Sequence, residues 1–212
     1  MSLNSGLGFK PFLSNTKNNL LLNGGFEYGP AFPSNSTGGI LVNAESNLTQ
    51  SPIYQWEILG TVKYVINNNY TVPQGDAAIE LVSGKSSGIQ TTVTLKKGSK
   101  YDMETFVGHY NELCIGELAV RIKAGSDEFY RPIGKAENYQ RINEVYTITV
   151  DSSVTSISIQ SEATTKTKDG VLCGPATDRI VLLPYSYGLK LQTSVLFVCP
   201  ASILVSFMQL IG

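Results

Sequence analysis

The sequence predicts an all-β fold, a sandwich of two antiparallel sheets. Three observations support this prediction: apolar and polar residues alternate along many short segments, Thr, Val, Ile and Tyr are frequent, and no stretch shows a clear helical period. Clusters of Gly, Asn, Ser and Asp separate about nine such segments over about 165 residues, which suits short connections between antiparallel strands.

Several segments have one apolar and one polar face, as expected of half-buried strands. The segment 116–125 places Leu118, Val120 and Ile122 on one side and charged residues on the other, and the segment 88–95 alternates in the same way. Further strands are predicted at 55–65, 77–82, 100–107, 144–150, 153–161 and 178–183, and around Leu20, Leu22 and Phe26.

The single tryptophan, Trp56, could stack on a sugar ring, but the alternation argues against this. Trp56 shares a face with Ile58, Val62 and Tyr64, whereas polar residues occupy the other face of the same segment. We therefore expect Trp56 to lie in the core.

The charge balance offers no sign of a nucleic-acid partner. The chain has 16 basic and 17 acidic side chains, so the basic excess typical of nucleic-acid binders is missing. The densest basic cluster, 96–100, contains Gly98 and Ser99 and adjoins two alternating runs, so we interpret it as a solvated hairpin turn.

Both ends differ in composition from the middle of the chain, which predicts three regions. Residues 1–18 are polar and hold no apolar stretch long enough for a secretory signal, and residues 19–185 form the sandwich domain. Residues 186–212 are nearly all apolar and allow three interpretations: a membrane anchor, a lipid-anchor signal, or sequence foreign to the domain, of which we favour the last. A membrane partner is expected only if this tail is a real anchor.

Four motifs together resemble a known plant family. They are "NLLLNGGFEYGP" (19–30), "YQWEILGTVKYV" (54–65), "VPQGDAAIELVSG" (72–84) and "LCGPATDRIVLL" (172–183). In this order they resemble the plant cell-wall family of domain of unknown function 642, and its second domain in particular. The resemblance implies a galactose-binding-like jelly roll, an extracellular cell-wall location and association with wall polysaccharides or with pectin methylesterase. It implies no catalytic activity.

Glu27 is a candidate ligand for one structural calcium ion. It follows the glycine pair in 24–25, where a kinked backbone can leave carbonyls free, and hard cations take carboxylate and carbonyl oxygens. The resemblance to related carbohydrate-binding jelly rolls implies Asp178 as its partner. The alternative is that Glu27 pairs with a surface Lys or Arg, and the neighbouring Arg179 makes the local charge less favourable to a cation.

The resemblance also implies a disulfide between Cys114 and Cys173, which requires an oxidising compartment. Glycosylation sequons occur at Asn35, Asn47 and Asn69 and would suit a secreted surface. Because the chain is rich in asparagine, serine and threonine, such sequons also arise by chance.

Outward or loop residues are better candidates than Trp56 for contact with a glycan. We selected polar and aromatic side chains that can present hydrogen bonds or a flat ring: Glu104, Tyr110, Arg121, Tyr130 and Arg131.

No catalytic residues are predicted. The chain has one histidine, His109, and no nucleophile-elbow phrase, which disfavours a catalytic triad and a multi-histidine metal site. Glycoside cleavage would need only two carboxylates, but nothing in the spacing of Asp76, Glu80 and Glu104 singles out a pair. The sequence thus favours a non-catalytic polysaccharide-binding module, with a protein-interaction module and a glycosidase-like enzyme as alternatives.

Overall fold

A computed structural model describes residues 18–32, 39–44, 51–67, 72–82, 84–109, 114–135 and 141–186. These residues form 14 strands: β1 (Ile40–Asn43), β2 (Glu57–Leu59), β3 (Thr61–Ile66), β4 (Ala77–Leu81), β5 (Gly88–Thr94), β6 (Lys100–Gly108), β7 (Cys114–Ile115), β8 (Glu117–Ala124), β9 (Asp127–Lys135), β10 (Arg141–Thr149), β11 (Val154–Ser161), β12 (Thr165–Thr167), β13 (Leu172–Cys173) and β14 (Ala176–Pro184).

The strands form two main sheets and a small one. The six-stranded sheet has the order β1-β3-β4-β14-β6-β10, and the five-stranded sheet has the order β2-β5-β11-β8-β9. A three-stranded sheet, β13-β12-β7, lies beside them. Neighbouring strands pair antiparallel, so the predicted all-β antiparallel sandwich is confirmed.

The core is built from the alternating apolar residues that the sequence indicates. Leu118, Val120 and Ile122 of β8 are buried on the core face of their sheet, while Lys123, which follows them, is exposed. Trp56 is 1% exposed, which confirms its predicted place in the core.

One long edge of the sandwich is closed by contacts between β9 and β10, which belong to different sheets. The rings of Phe129 and Tyr146 lie 4.5 Å apart, and Arg131 Nε lies 2.8 Å from Glu144 Oε1. These contacts tie the two sheets together where no backbone ladder joins them.

The predicted strand around Leu20, Leu22 and Phe26 is wrong. Asn23 and Phe26 adopt left-handed backbone angles (φ 53° and 58°), which interrupt an extended strand, and Leu20 and Leu22 are largely exposed while Leu21 and Phe26 are buried.

The first and last segments of the domain nevertheless lie side by side, as the predicted architecture requires. The amide of Leu20 donates to the carbonyl of Leu182 (3.0 Å), and the amide of Ile180 donates to Gly24 (2.7 Å). This approach requires a glycine, because a Cβ at Gly24 would lie 2.0 Å from the Ile180 carbonyl oxygen.

Two local predictions need correction. The single strand 55–65 is divided at Gly60 (φ 67°) into β2 and β3, which belong to different sheets. The basic turn 96–100 is exposed as predicted, but it joins β5 of one sheet to β6 of the other and is therefore not a hairpin turn. Alternation fixed which side chains face inward but not which sheet each strand joins.

Some predictions fall outside the described residues. These are the sequons at Asn35, Asn47 and Asn69, the candidate Tyr110, the segment 1–17 and the apolar tail 187–212. Across the parts of the chain that the structure describes, there is no helix long and apolar enough to span a membrane.

Candidate functional site

A cleft of about 860 Å³ opens at the end of the sandwich beside β2 and β5. Two loop segments, residues 27–29 and 51–56, form most of its wall. Thr91 and Thr92 of β5 also line it. Tyr28 and Tyr54 line the cleft and remain 72% and 53% exposed, which is unusual for side chains of this size. We call these two residues the tyrosine pair.

The tyrosine pair is held in place by backbone and side-chain hydrogen bonds. The two rings meet edge to face with their centroids 6.4 Å apart, and the amide of Tyr54 donates to the carbonyl of Tyr28 (3.1 Å). The side-chain amide of Asn23 donates to the carbonyls of both tyrosines (2.9 Å each) and accepts from the amide of Tyr28 (3.0 Å). Asn23 therefore fixes the two loops relative to each other.

Trp56 supports the tyrosine pair from below. Its indole Nε1 donates to the carbonyls of Leu22 (3.2 Å) and Asn23 (3.1 Å), and its ring meets Phe26 edge to face at 5.6 Å. Asn23, Phe26 and Gln55 all have positive φ, and such angles in non-glycine residues persist only where the surroundings enforce them. The floor of the cleft is thus rigid before any ligand arrives.

Two exposed carboxylates line the cleft. Glu57 lies on β2, on the face opposite the buried Ile58, and pairs in register with Gln90. Both oxygens of Glu27 accept the amide of Asp76 at 3.1 Å, in a position so tight that a Cβ at Gly75 would lie 1.9 Å from Oε1. None of the described residues that line the cleft is basic.

The predicted calcium ligands, Glu27 and Asp178, hold the same loop. Asp178 is fully buried and accepts the amide of Gln74 (2.9 Å), two residues before the Asp76 amide that Glu27 holds. Burial, together with a smaller contribution from the nearby charge of Glu27, raises the pKa of Asp178 to about 7.

The negative charge of a buried carboxylate is suited to a hard cation such as calcium. The fit is partial, since no cluster of three acidic, histidine or cysteine side chains occurs within the described ranges. Backbone carbonyls would have to complete the coordination of an ion held by Glu27 and Asp178.

The structure corrects the expectation that Glu104 is an outward surface residue. It does lie on the face of β6 opposite the core residue Met103, yet it is fully buried. Its Oε1 accepts from Nη1 of Arg179 (2.9 Å), and the Arg179 guanidinium lies 5.6 Å from the centre of the Phe106 ring. Glu104 is therefore part of a buried ion pair and is not accessible to a glycan.

The remaining described candidates do not gather at one site. Arg121 and Tyr130 are register partners on the outward face of the five-stranded sheet, and Arg121 is bound by Glu162 and Glu128. Arg131 is turned toward Glu144 at the edge of the sandwich. Arg121 and Tyr130 thus remain candidates on one surface, away from the residues that line the cleft.

Sequence reasoning missed the tyrosine pair. Tyr28 lies in "FEYGP" and Tyr54 in "SPIYQW", and aromatic residues beside Gly, Pro and Ser in loops were a usable signal because loops run over the surface. Their meeting could not be predicted, since it depends on the bonds made by Asn23.

The cysteines take the positions that the resemblance implies. Cys114 of β7 and Cys173 of β13 are joined in a disulfide with their Cα atoms 5.9 Å apart. The hydroxyl of Thr165, on the middle strand β12, donates to the carbonyl of Cys173 (2.7 Å). The bond therefore closes the small sheet around its central strand.

Comparisons with solved structures find distant similarities in fold. The carbohydrate-binding module TmCBM61 in complex with β-1,4-galactotriose is 18% identical, with a TM-score of 0.46 over 79% of this chain and 99% of that chain. The α-L-arabinofuranosidase MgGH51, bound to arabinose, is 12% identical, with a TM-score of 0.48 over 80% of this chain and 27% of that chain.

Comparisons with protein sequences find relatives of higher identity, among them two proteins of Arabidopsis thaliana. Protein DUF642 L-galactono-1,4-lactone-responsive gene 2 is 41% identical over 55% of this chain and 32% of the relative. Protein TEEBE is 33% identical over 79% of this chain and 46% of the relative. The chain thus spans about a third to a half of the length of these relatives. A family model described as "Protein of unknown function (DUF642)" matches residues 19–183, and the chain therefore belongs to the DUF642 family.

Proposed function

We propose that the protein is a non-catalytic module that binds plant cell-wall polysaccharide in the cleft lined by Tyr28 and Tyr54. The observation that carries this proposal is the tyrosine pair itself, two large rings kept exposed and rigid beside an open cleft. Exposed aromatic side chains without a structural role cost solubility, so their retention at a cleft favours a binding role.

The chemistry of the cleft suits a sugar ring. A pyranose has apolar C–H faces and polar hydroxyl edges, so it can stack on an aromatic ring while its hydroxyls form hydrogen bonds around the rim. The rim supplies acceptors and donors from Gln55, Glu57, Thr91 and Thr92. Because the floor is already ordered, little conformational entropy is lost on binding.

A catalytic role has less support from the geometry. Glycoside hydrolysis needs a general acid whose pKa is raised, next to a second carboxylate. Burial raises the pKa of Glu80 and of Asp178, but neither lines the cleft. The earlier candidate Glu104 is buried in its pair with Arg179.

Two finer points belong to the same proposal. Membership of the DUF642 family supports a cell-wall location, where the disulfide would also be stable. A calcium ion held by Glu27 and Asp178 would order the loop 74–76 behind the cleft.

The second candidate function is docking on a wall enzyme such as pectin methylesterase. The observation that favours it is a group of exposed apolar side chains on the three-stranded sheet: Ile115, Val171 and Leu172. These residues lie outside the cleft, so the two functions require different surfaces.

The two functions are separated by pull-downs with purified insoluble cellulose, xylan and pectin and, in parallel, with a wall protein extract. We expect retention on at least one purified glycan and loss of that retention in the double variant Tyr28→Ala/Tyr54→Ala, with unchanged thermal unfolding. Retention only through extract proteins would favour docking. Release of new reducing ends from the glycan would establish an enzyme and overturn the non-catalytic proposal.

A further inference from the structure

The glutamates of the cleft differ from most other glutamates of the domain in their charge partners. Elsewhere, five glutamates lie within ion-pair distance of a Lys or Arg: Glu80, Glu104, Glu128, Glu144 and Glu162. Glu27 and Glu57 form no ion pair with any described residue, and both line the cleft. Within the part of the chain that the structure describes, the cleft therefore carries two negative charges without an ion-pair partner.

Tyr64, a neighbouring side chain, lies within reach of the same negative charge. The hydroxyl of Tyr64 donates to the carbonyl of Phe26 (2.7 Å), next to Glu27 in the chain. Burial raises the pKa of Tyr64 to about 12, and the charges of Glu27 and Asp76 add to the effect. A second anion in this region would meet the same field.

Two basic residues of the same sheet are already paired with carboxylates. Arg121 and Lys123, on the outward face of the five-stranded sheet, are bound by glutamates, with Arg121 Nη2 at 3.0 Å from Glu162 and Lys123 Nζ at 3.1 Å from Glu128. The sequence segments 33–38 and 45–50, which adjoin the cleft loops along the chain, contain no Lys or Arg. Neither source supplies a free positive charge for an acidic ligand.

We propose that the cleft selects neutral polysaccharides and rejects polyuronates, and this inference rests on the proposed function. A neutral sugar that stacks on the tyrosine pair can donate its hydroxyls to the carboxylates of Glu27 and Glu57, and charge-assisted hydrogen bonds of this kind are strong. A uronate in the same position brings a third carboxylate into the cleft that the other two line. Salt screens such repulsion only in part where charges lie closer than the Debye length, about 10 Å at 0.1 M ionic strength. The acidic wall polymer is therefore excluded by like charge, without any steric barrier.

The inference is tested by calorimetric titration with oligosaccharides of equal length, in buffer without added divalent cations. The probes are neutral xylan, galactan and glucan oligomers and an oligogalacturonate. The quantity compared is the ratio of the Kd of the oligogalacturonate to the Kd of the best neutral oligomer. We expect this ratio to be at least about ten at about 20 mM salt and to fall severalfold at about 500 mM salt.

Two variants assign the effect to the cleft. Glu57→Gln keeps the size and hydrogen-bonding capacity of an exposed side chain and should narrow the ratio severalfold by improving oligogalacturonate binding. The matched control is Glu117→Gln, which removes an exposed carboxylate of β8 that does not line the cleft and should leave the ratio unchanged.

The outcomes separate the inference from the function on which it rests. Oligogalacturonate binding as tight as the best neutral oligomer, or a ratio that neither salt nor Glu57→Gln alters, would overturn charge selection while leaving carbohydrate binding in place. Binding of none of the oligomers would overturn both.

Discussion

The two main sheets differ in the faces that they turn away from the shared core. On the six-stranded sheet, Glu80 and Glu104 point away from the core yet are fully buried, and each faces a cation at 3.2 Å or 2.9 Å. On the five-stranded sheet, Glu57 and Tyr130 also point outward but are exposed. The same pattern of alternation thus produces a covered, ion-paired region around Glu80 and Glu104 on one outward face and an open outward face on the other sheet. A polar residue on a strand indicates a binding surface only where the face is uncovered.

The largest expected difference between the two faces is in stability. Glu104→Ala removes the carboxylate that faces the buried Arg179 guanidinium and should lower the free energy of unfolding by about 3–5 kcal/mol. Glu57→Ala, on the open face, should change it by less than about 0.5 kcal/mol. Urea unfolding of both variants measures the contrast, and similar losses in the two would contradict the distinction.

The disulfide should stabilise the covered face without affecting the cleft. The amide of Gly174, next to Cys173, donates to Oε1 of Glu80 (3.3 Å), so the crosslink anchors the segment over that carboxylate. Its loop spans 59 residues of sequence separation. In the chain-entropy model the double variant Cys114→Ser/Cys173→Ser should lose about 4 kcal/mol.

Thermal unfolding and glycan titration of this double variant test both parts of that expectation. An unchanged glycan affinity in protein that is still folded is the predicted result. A weakened affinity with unaltered stability would show that the crosslink acts on the cleft.

Asp178 predicts how stability changes with pH. Its folded pKa of about 7 lies above 3.8, the ordinary pKa of an aspartate, so the folded state binds more protons between these two values. The contribution of Asp178 to the free energy of unfolding is therefore fully present below about pH 4 and is lost as the pH rises toward 7. Above pH 7 this contribution changes no further. The loss between pH 5 and pH 7 should be about 2–3 kcal/mol.

Melting curves at pH 5, 6, 7 and 8 measure this slope. Asp178→Asn should flatten it, because the variant cannot ionise. A cation held by Glu27 and Asp178 would also flatten it, and chelator would then restore the slope and lower the melting temperature at pH 7. If saturating chelator leaves the melting temperature at pH 7 unchanged, the proposed calcium site is contradicted.

The smallest expected effect is on glycan affinity and arises at Asn23, the residue that connects the two cleft loops. Asn23→Gly tolerates the left-handed backbone (φ 53°) but removes three hydrogen bonds to Tyr28 and Tyr54. We expect glycan affinity to fall about fivefold, since a net hydrogen bond contributes about 1 kcal/mol and the loops lose their fixed geometry. An affinity equal to that of the wild type would show that the tyrosine pair needs no support from Asn23.

The sequence was sufficient to predict the layers of the fold because burial imposes a period of two on every strand. Leu118, Val120 and Ile122 and the buried Trp56 follow that rule. The break at Gly60 and the strand β9 (Asp127–Lys135) were not predicted. Gly60 takes a positive φ that any turn glycine could adopt. In β9, one proline, one glycine and four charged residues obscure the alternation.

The site was harder to predict because its residues come from distant loops. Tyr28 and Tyr54 lie 26 positions apart in the sequence, and they meet through a direct backbone hydrogen bond and through the side-chain amide of Asn23. Glu104, in contrast, looked available because its position in β6 alternates with core residues. Nothing in the local sequence showed that Arg179, from the far end of the chain, would cover and pair with it.

The most direct test of the central claim uses Trp56, the only tryptophan of the chain, which lies under the tyrosine pair and lines the cleft. Titration with the glycan that the pull-down selects should change the tryptophan fluorescence and saturate at the Kd found by calorimetry. Tyr54→Ala should raise the Kd from fluorescence and the Kd from calorimetry by the same factor, at least about tenfold. Calorimetric binding with no change in the tryptophan signal and no effect of Tyr54→Ala would place the glycan elsewhere and contradict the account.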